Sequence, residues 1–180
     1  FVMLGLFAFN LQGIEGGILQ MVNHGVSTGA LFLIVGILYE RRHTRLISDF
    51  GGLARVVPVF SVCFMVVALS SVALPGTNGF VGEFLILLGA FRANPWLTAV
   101  AATGVVLGAA YMLWMYQRVM FGEVTHEENR GLPDMNGREL ACLLPILLLV
   151  FWIGVYPQPF LRRMDATVRA YVARYEAAKQ

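Results

Sequence analysis

The apolar region at residues 56–91 constrains this chain more than any other feature. Wound as one straight helix, it would run about 54 Å at 1.5 Å per residue. The hydrocarbon core of a bilayer is only about 30 Å thick. The segment must therefore break, and Leu74-Pro75-Gly76-Thr77-Asn78-Gly79 marks the place. Pro75 has no N–H, so the carbonyl of Ser71 loses its helical partner. Ser70 and Ser71 stand one turn back, within reach of freed backbone groups. Two shapes satisfy these constraints. One is a single discontinuous crossing; the other is two short helices joined by a tight hairpin.

Composition places the rest of the chain in the same class. Of its 180 residues 58% are hydrophobic and 13% charged, against about 25% charged in a soluble domain. The expected architecture is an all-α integral membrane protein, a bundle of transmembrane helices with one helix broken at a Pro-Gly pair. Nothing in the pattern suggests the alternating strands of an outer-membrane barrel. Beside the broken crossing at 56–91, spanning segments are expected at 17–39, 95–117 and 139–156. Residues 1–10 read as the end of a truncated helix, so the chain reads as a fragment of a longer protein with no signal peptide. Residues 11–17, with Gly13 and Gly16-Gly17, read as a turn holding Glu15. Residues 40–55 and 121–137 read as charged, solvent-facing loops.

Small-residue pairs at Gly25/Gly29 and Gly104/Gly108 read as packing faces. Residues 157–180 form an amphipathic tail. Its Leu161, Met164, Val168, Tyr171, Val172 and Tyr175 recur at three- and four-residue steps, as in an interfacial helix, with a loose terminus as the alternative. If 56–91 is one crossing, Arg41, Arg42, Arg45, Arg55, Arg118, Arg130 and Arg138 share one side, which the positive-inside rule makes cytoplasmic. The basic residues of the tail pull the other way. Cys63 and Cys142 lie in apolar segments and read as small buried hydrophobes. No metal, haem or iron–sulfur spacing is present, nor any phosphate-binding or dinucleotide fingerprint.

Two sets of residues stand out chemically. Glu83 is a lone carboxylate in the apolar run that follows Pro75 and Gly76. An ionisable group at membrane depth is costly and reads as functional. Transporters build ion sites beside interrupted helices in this way. The competing reading has Glu83 near an interface, meeting only water. The second set is Gln20, His24, Ser27 and Thr28, at i, i+4, i+7 and i+8 on one helical face. Such a stripe faces protein or a hydrated cavity rather than lipid. His24 alone among them titrates near neutral pH. It reads either as a proton relay or as a neutral histidine bonding a neighbouring helix.

The string Gln20-Met21-Val22-Asn23-His24-Gly25-Val26-Ser27-Thr28-Gly29, followed by Leu38-Tyr39-Glu40-Arg41-Arg42-His43-Thr44-Arg45, carries a resemblance. So do Leu74-Pro75-Gly76 through Glu83-Phe84-Leu85 and Gly154-Val155-Tyr156-Pro157-Gln158-Pro159. These resemble the antiporter-like subunits of proton-pumping NADH-quinone oxidoreductase, respiratory complex I. Within that family Thr28 and Glu83 resemble the M-type subunits, since several paralogues carry lysine at one or both positions. The resemblance implies a longer subunit built on inverted repeats, with protons moving along a buried polar axis. Glu83 and His24 would transfer protons, supported by Gln20, Ser27 and Thr28 and by the break at Pro75 and Gly76. It further implies an enzyme subunit with no redox chemistry in this chain. NADH, FMN, iron–sulfur clusters and quinone would belong to partner subunits of the membrane-embedded complex, in a bacterial cytoplasmic membrane. Partners would include paralogous antiporter-like subunits and the lipid bilayer, and no nucleic acid. The alternative is a subunit of a Mrp-type cation/proton antiporter or of a membrane-bound hydrogenase.

Overall fold

The computed structural model describes residues 1–179 and is all-helical over them. Gln180, the last residue of the expected tail, lies outside the described residues. The helices are α1 (Val2–Leu6), α2 (Leu11–Arg42), α3 (Pro58–Ser71), α4 (Asn78–Ala93), α5 (Pro95–Met120), α6 (Gly137–Val155) and α7 (Gln158–Ala177). By length and apolar character α2, α5 and α6 are each able to cross a membrane. Neither α3 nor α4 is long enough alone, at roughly 21 and 24 Å.

Contacts with α2 decide between the two shapes left open by the sequence. Ser27 of α2 meets Ser70 at the end of α3. Asn23 meets Asn78 at the start of α4, and Gln20 meets Glu83 one turn on. Further along, Gly16 lies against Leu85 and Ile86, and Gly13 against Gly89. Moving back along α2, the partners advance from the end of α3 on through α4, while Asp134, beside Arg41 near the far end of α2, holds the start of α3. The two helices therefore continue in one direction, antiparallel to α2, as a single discontinuous crossing. A hairpin would have turned α4 back alongside α3.

Residues 11–17 are not the expected turn but the first turns of α2. Asn10 caps the helix, its Oδ1 accepting the N–H of Gly13 at 2.9 Å. The glycines permit close approach instead of reversal: a Cβ on Gly89 would fall on the backbone of Gly13. Glu15 is consequently helical and nearly buried rather than in a solvated turn. At its other end α2 runs past the expected boundary to Arg42, and His43 closes it in the left-handed conformation at φ 52°.

The loop after α5 is a clamp, not merely a solvated connection. Asp134 accepts the backbone N–H groups of Val59 and Phe60 at 2.8 and 3.0 Å. These are orphan donors at the start of α3. Arg41 makes a bidentate pair with Glu139 at 2.9 and 2.8 Å and also donates to the Pro133 carbonyl. Asn129, fully buried, takes a bond from Arg42 at 2.6 Å. Under this clamp lies the main apolar core, with Ile34, Leu53, Phe60, Phe64, Met120 and Leu143 among its members.

Beyond the clamp α6 packs mainly against α2 and α4, and near its end Gly154 packs on the carbonyl of Gly76. The tail forms α7, with Val168 of its apolar stripe 3% exposed and Tyr175 stacked on Phe9 at 4.4 Å. Other expectations are not met within this chain. Gly25 and Gly29 meet nothing within 4 Å, and Gly104 meets only Phe1, at 3.7 Å. Among the described residues those faces have no close-packed partner. Cys142 is exposed, unlike Cys63.

Candidate functional site

The break is built by a specific helix ending. The N–H of Leu74 bonds the carbonyl of Leu69 at 3.0 Å, and the N–H of Ala73 bonds that of Ser70 at 3.2 Å. This paired pattern is a Schellman ending with Ala73 at the left-handed position, φ 56°. A non-glycine residue pays about 1–2 kcal/mol for that conformation. Residues 74–77 then reverse in a turn. Pro75 is its second residue, Gly76 its third at φ 93°, and Thr77 N–H returns to the Leu74 carbonyl at 3.0 Å. So α3 ends before Pro75, and Pro75 prevents it from resuming. At the start of α4 the chain passes so close to the Ser70 carbonyl that no side chain fits at Gly79.

A polar cluster fills the space between this break and α2. Ser27 and Ser70 share a hydroxyl–hydroxyl bond of 2.8 Å. Ser70 donates to Asn78 Oδ1 at 2.6 Å, and Asn78 Nδ2 donates to Ser27 Oγ at 3.1 Å. Asn23 and Asn78 clasp each other, each amide N–H donating to the other's backbone carbonyl at 2.7 and 3.3 Å. Asn23 Nδ2 also donates to Gln20 Oε1 at 3.1 Å. Gln20 Nε2 in turn donates to Glu83 Oε1 at 3.3 Å. The bonds thus run from the break to the carboxylate without interruption. Among the described residues Glu83 makes no salt bridge.

The structure divides the expected stripe. Gln20 and Ser27 face α4 and α3. His24 and Thr28 lie toward the edge of that face, bonded to each other at 3.0 Å with His24 exposed. All four still line one cavity of about 220 Å³ together with Glu83, Ser70, Ser71 and Gly79. Pro75 and Gly76 shape the break without lining the cavity. Sequence reasoning missed Asn23 and Asn78, which are 1% and 0% exposed. A signal for Asn23 was present: it lies three residues after Gln20 and four before Ser27, on the same helical face. Asn78 had only its place beside the break.

The arrangement has the parts of a proton-transfer site, with one carboxylate, amide and hydroxyl partners, and open volume beside them. Among the described residues no cluster of side chains suits a metal ion.

Known proteins resemble this chain closely. Residues 1–108 match the family described as NADH:quinone oxidoreductase/Mrp antiporter, transmembrane. The chain is 48% identical to NADH-ubiquinone oxidoreductase chain 4 of Marchantia polymorpha over 168 residues, 93% of this chain and 34% of that protein. It is 45% identical to NADH-quinone oxidoreductase subunit M of Rhodobacter capsulatus over 177 residues, 98% of this chain and 35% of that protein. The chain thus spans about a third of the length of these relatives. Its fold is similar to a chain of respiratory complex I from Thermus thermophilus with bound NADH. The TM-score is 0.90 at 37% identity, over 96% of this chain and 36% of that one. A chain of the Mrp complex from Dietzia sp. superposes with a TM-score of 0.79 at 22% identity, covering 95% of this chain and 40% of that one. That likeness shows a shared fold.

Proposed function

The chain belongs to the family of NADH:quinone oxidoreductase and Mrp antiporter membrane subunits, and from that premise we propose that it works in a proton-translocating membrane-arm subunit of an NADH:quinone oxidoreductase. Glu83 is the proton-exchanging carboxylate. The observation that carries this reading is the contact between Gln20 and Glu83 beside the broken crossing, in a polar cavity. The carboxylate has an amide donor but no fixed cation among the described residues, so a proton is the neutralising partner open to it inside the membrane. His24, at the edge of the cavity with Thr28, relays protons to or from it.

Electron transfer belongs elsewhere. NADH, FMN, iron–sulfur clusters and quinone are assigned to partner subunits, and this chain contributes proton movement coupled to quinone reduction. Its neighbours are other membrane-arm subunits, including antiporter-like paralogues, in a bacterial cytoplasmic membrane. Relatives named as NADH-quinone and NADH-ubiquinone oxidoreductase subunits support this over a Mrp-type antiporter, whose solved relative is only 22% identical.

Replacing Glu83 in the full-length assembled subunit tests the reading. Glu83→Gln keeps size and hydrogen bonding but cannot release a proton. Proton pumping should be abolished or strongly reduced, and coupled quinone reduction should fall with it, while the complex still assembles. Glu83→Asp should keep partial activity. Normal pumping by an assembled Glu83→Gln complex refutes the assignment.

A further inference from the structure

The arginines where α2 and α5 finish are held in two different ways. Arg41 and Arg42 are paired with the carboxylates of Glu139 and Glu128. Arg45 instead lies over the ring of Tyr39, 4.7 Å from its centroid, and Arg118 over Trp114 at 4.9 Å. Among the described residues neither has a carboxylate partner. Asp49, in the same loop as Arg45, is held by the hydroxyls of Thr44 and Ser48. Stacking engages the face of a guanidinium and leaves the N–H groups along its edge free. Those edges are what grips a phosphate through two parallel bonds. Thr44 and Arg45 wall one side of a small cavity of about 90 Å³, and apolar side chains wall the rest, among them Val35 and Leu38 of α2 and Met115 and Val119 of α5. Arg118 directly precedes Val119 on α5. The N–H of Gly52 bonds the Phe121 carbonyl at 3.0 Å, so the loop after α2 and the end of α5 meet at one end of the bundle. Tyr39 and Trp114 are both exposed there, as rings at headgroup level are.

We propose that this groove between α2 and α5 seats an anionic phospholipid. Its acyl chain lies along Val35, Leu38, Met115 and Val119. Its phosphate accepts from the free edge of Arg45, and Arg118 adds positive charge from the α5 side. The occupant follows from complementarity: apolar walls that end at unpaired cations match an acyl chain that ends at a phosphate. Two cations without acids favour a lipid of net negative charge over a zwitterion. A purely apolar helix would fill the groove and leave both cations without an anion. The site rests on the membrane placement of the chain and not on the role proposed for Glu83. Normal pumping by Glu83→Gln would therefore leave it standing.

The test uses the complete complex in nanodiscs of phosphatidylcholine, with or without added phosphatidylglycerol. With phosphatidylglycerol, a map should show a phosphate roughly 2.7–3.2 Å from the Arg45 guanidinium, continued by chain density in the groove. In phosphatidylcholine alone that density should weaken. A protein segment lying in the groove overturns the proposal, and so does equal density in the two lipids. Titrating phosphatidylglycerol into the complex, with bound lipid counted by native mass spectrometry, gives a second readout. Arg45→Gln and Arg118→Gln should each raise the concentration that half-fills the site roughly fivefold, the worth of one basic side chain at an anionic surface. Arg45→Lys should keep part of the affinity, since the charge stays while the two-pronged grip is lost. Arg92→Gln, at the opposite end of the broken crossing, should leave the titration unchanged. An unchanged titration in the double variant Arg45→Gln/Arg118→Gln defeats the site. If Arg45→Gln does not assemble, Arg118→Gln, on an exposed position of α5, and the native map decide.

Discussion

Gln20 and His24 stand one helical turn apart, yet they meet different surroundings. Gln20 points between helices and donates to Glu83 at 3.3 Å. His24 sits at the cavity's edge, exposed, with Thr28 at 3.0 Å on its Nδ1. Two residues that share a stripe on paper thus have different neighbours, because a face about 100° wide spans both a helix contact and its margin. If His24 relays protons, His24→Ala should lower pumping more than it lowers assembly. His24→Gln should keep a hydrogen bond near Thr28 but lose titration, and pumping should fall as well. Full pumping by His24→Gln, measured on the assembled complex, would show that the histidine only packs. The sequence made His24 conspicuous as the one ionisable side chain of its stripe. It hid Asn23, which is not ionisable, although Asn23 is the more deeply buried of the two.

The elements show how a broken crossing is held at both ends. At the break, the Schellman ending satisfies the carbonyls of Leu69 and Ser70, and the Pro75-Gly76 turn delivers the chain to α4. At the start of α3, Asp134 supplies a cap from a loop more than seventy residues away in sequence. Burial disfavours ionisation of Asp134, but the N–H groups of Val59, Phe60 and Met135 outweigh it, with Arg41 adding to them. Together they hold its carboxyl below the usual carboxylate range. A depressed folded value gives stability that is complete above the ordinary value of about 3.9. That stability is lost as pH falls through the depressed value. Asp134→Asn keeps an acceptor but loses the charge. It should cost about 0.3–1 kcal/mol near neutral pH, the scale of a charge at a helix N-terminus. Thermal unfolding at several pH values should show the difference from the parent narrowing below about pH 4. A difference independent of pH would mean that the charge of Asp134 does not act on α3.

For the whole molecule, the direction of α3 and α4 sets which ends of the chain share a membrane face. Because the two helices run on in one direction along α2, Arg55 and Asn94 belong on opposite faces. Single cysteines placed at these positions in the full-length protein, on a background without Cys63 and Cys142, should label from opposite sides of sealed vesicles. Labelling of both from the same side would overturn the single crossing in the membrane. The same arrangement sets α7 against α2, with Tyr175 on Phe9 and the Asp165–Arg169 pair exposed along its length. The apolar stripe of the tail therefore has a protein partner for part of its length.

The sequence alone determined the membrane class, the presence of a break between Ser71 and Gly79, and the place of Glu83 as the lone carboxylate of its apolar run. Each follows from local quantities: the length of an apolar run against the thickness of a bilayer, a proline without an N–H, a charge among apolar neighbours. The amphipathic tail was legible for the same reason, since periodicity is a property of one segment. Tertiary structure decided the rest. Gly13, Gly16 and Gly17 have the composition of a turn, but close packing against α1 and α4 makes them helix. The polar loop after α5 has the composition of a solvent connection, yet Asn129 and Asp134, with Glu139 just inside α6, bind backbone and arginines from distant elements. Crossing against hairpin, and Asn23 as the link from Asn78 to Gln20, depended on which residues α2 meets across the bundle. Such pairings join positions more than fifty residues apart in sequence, and no local pattern encodes them.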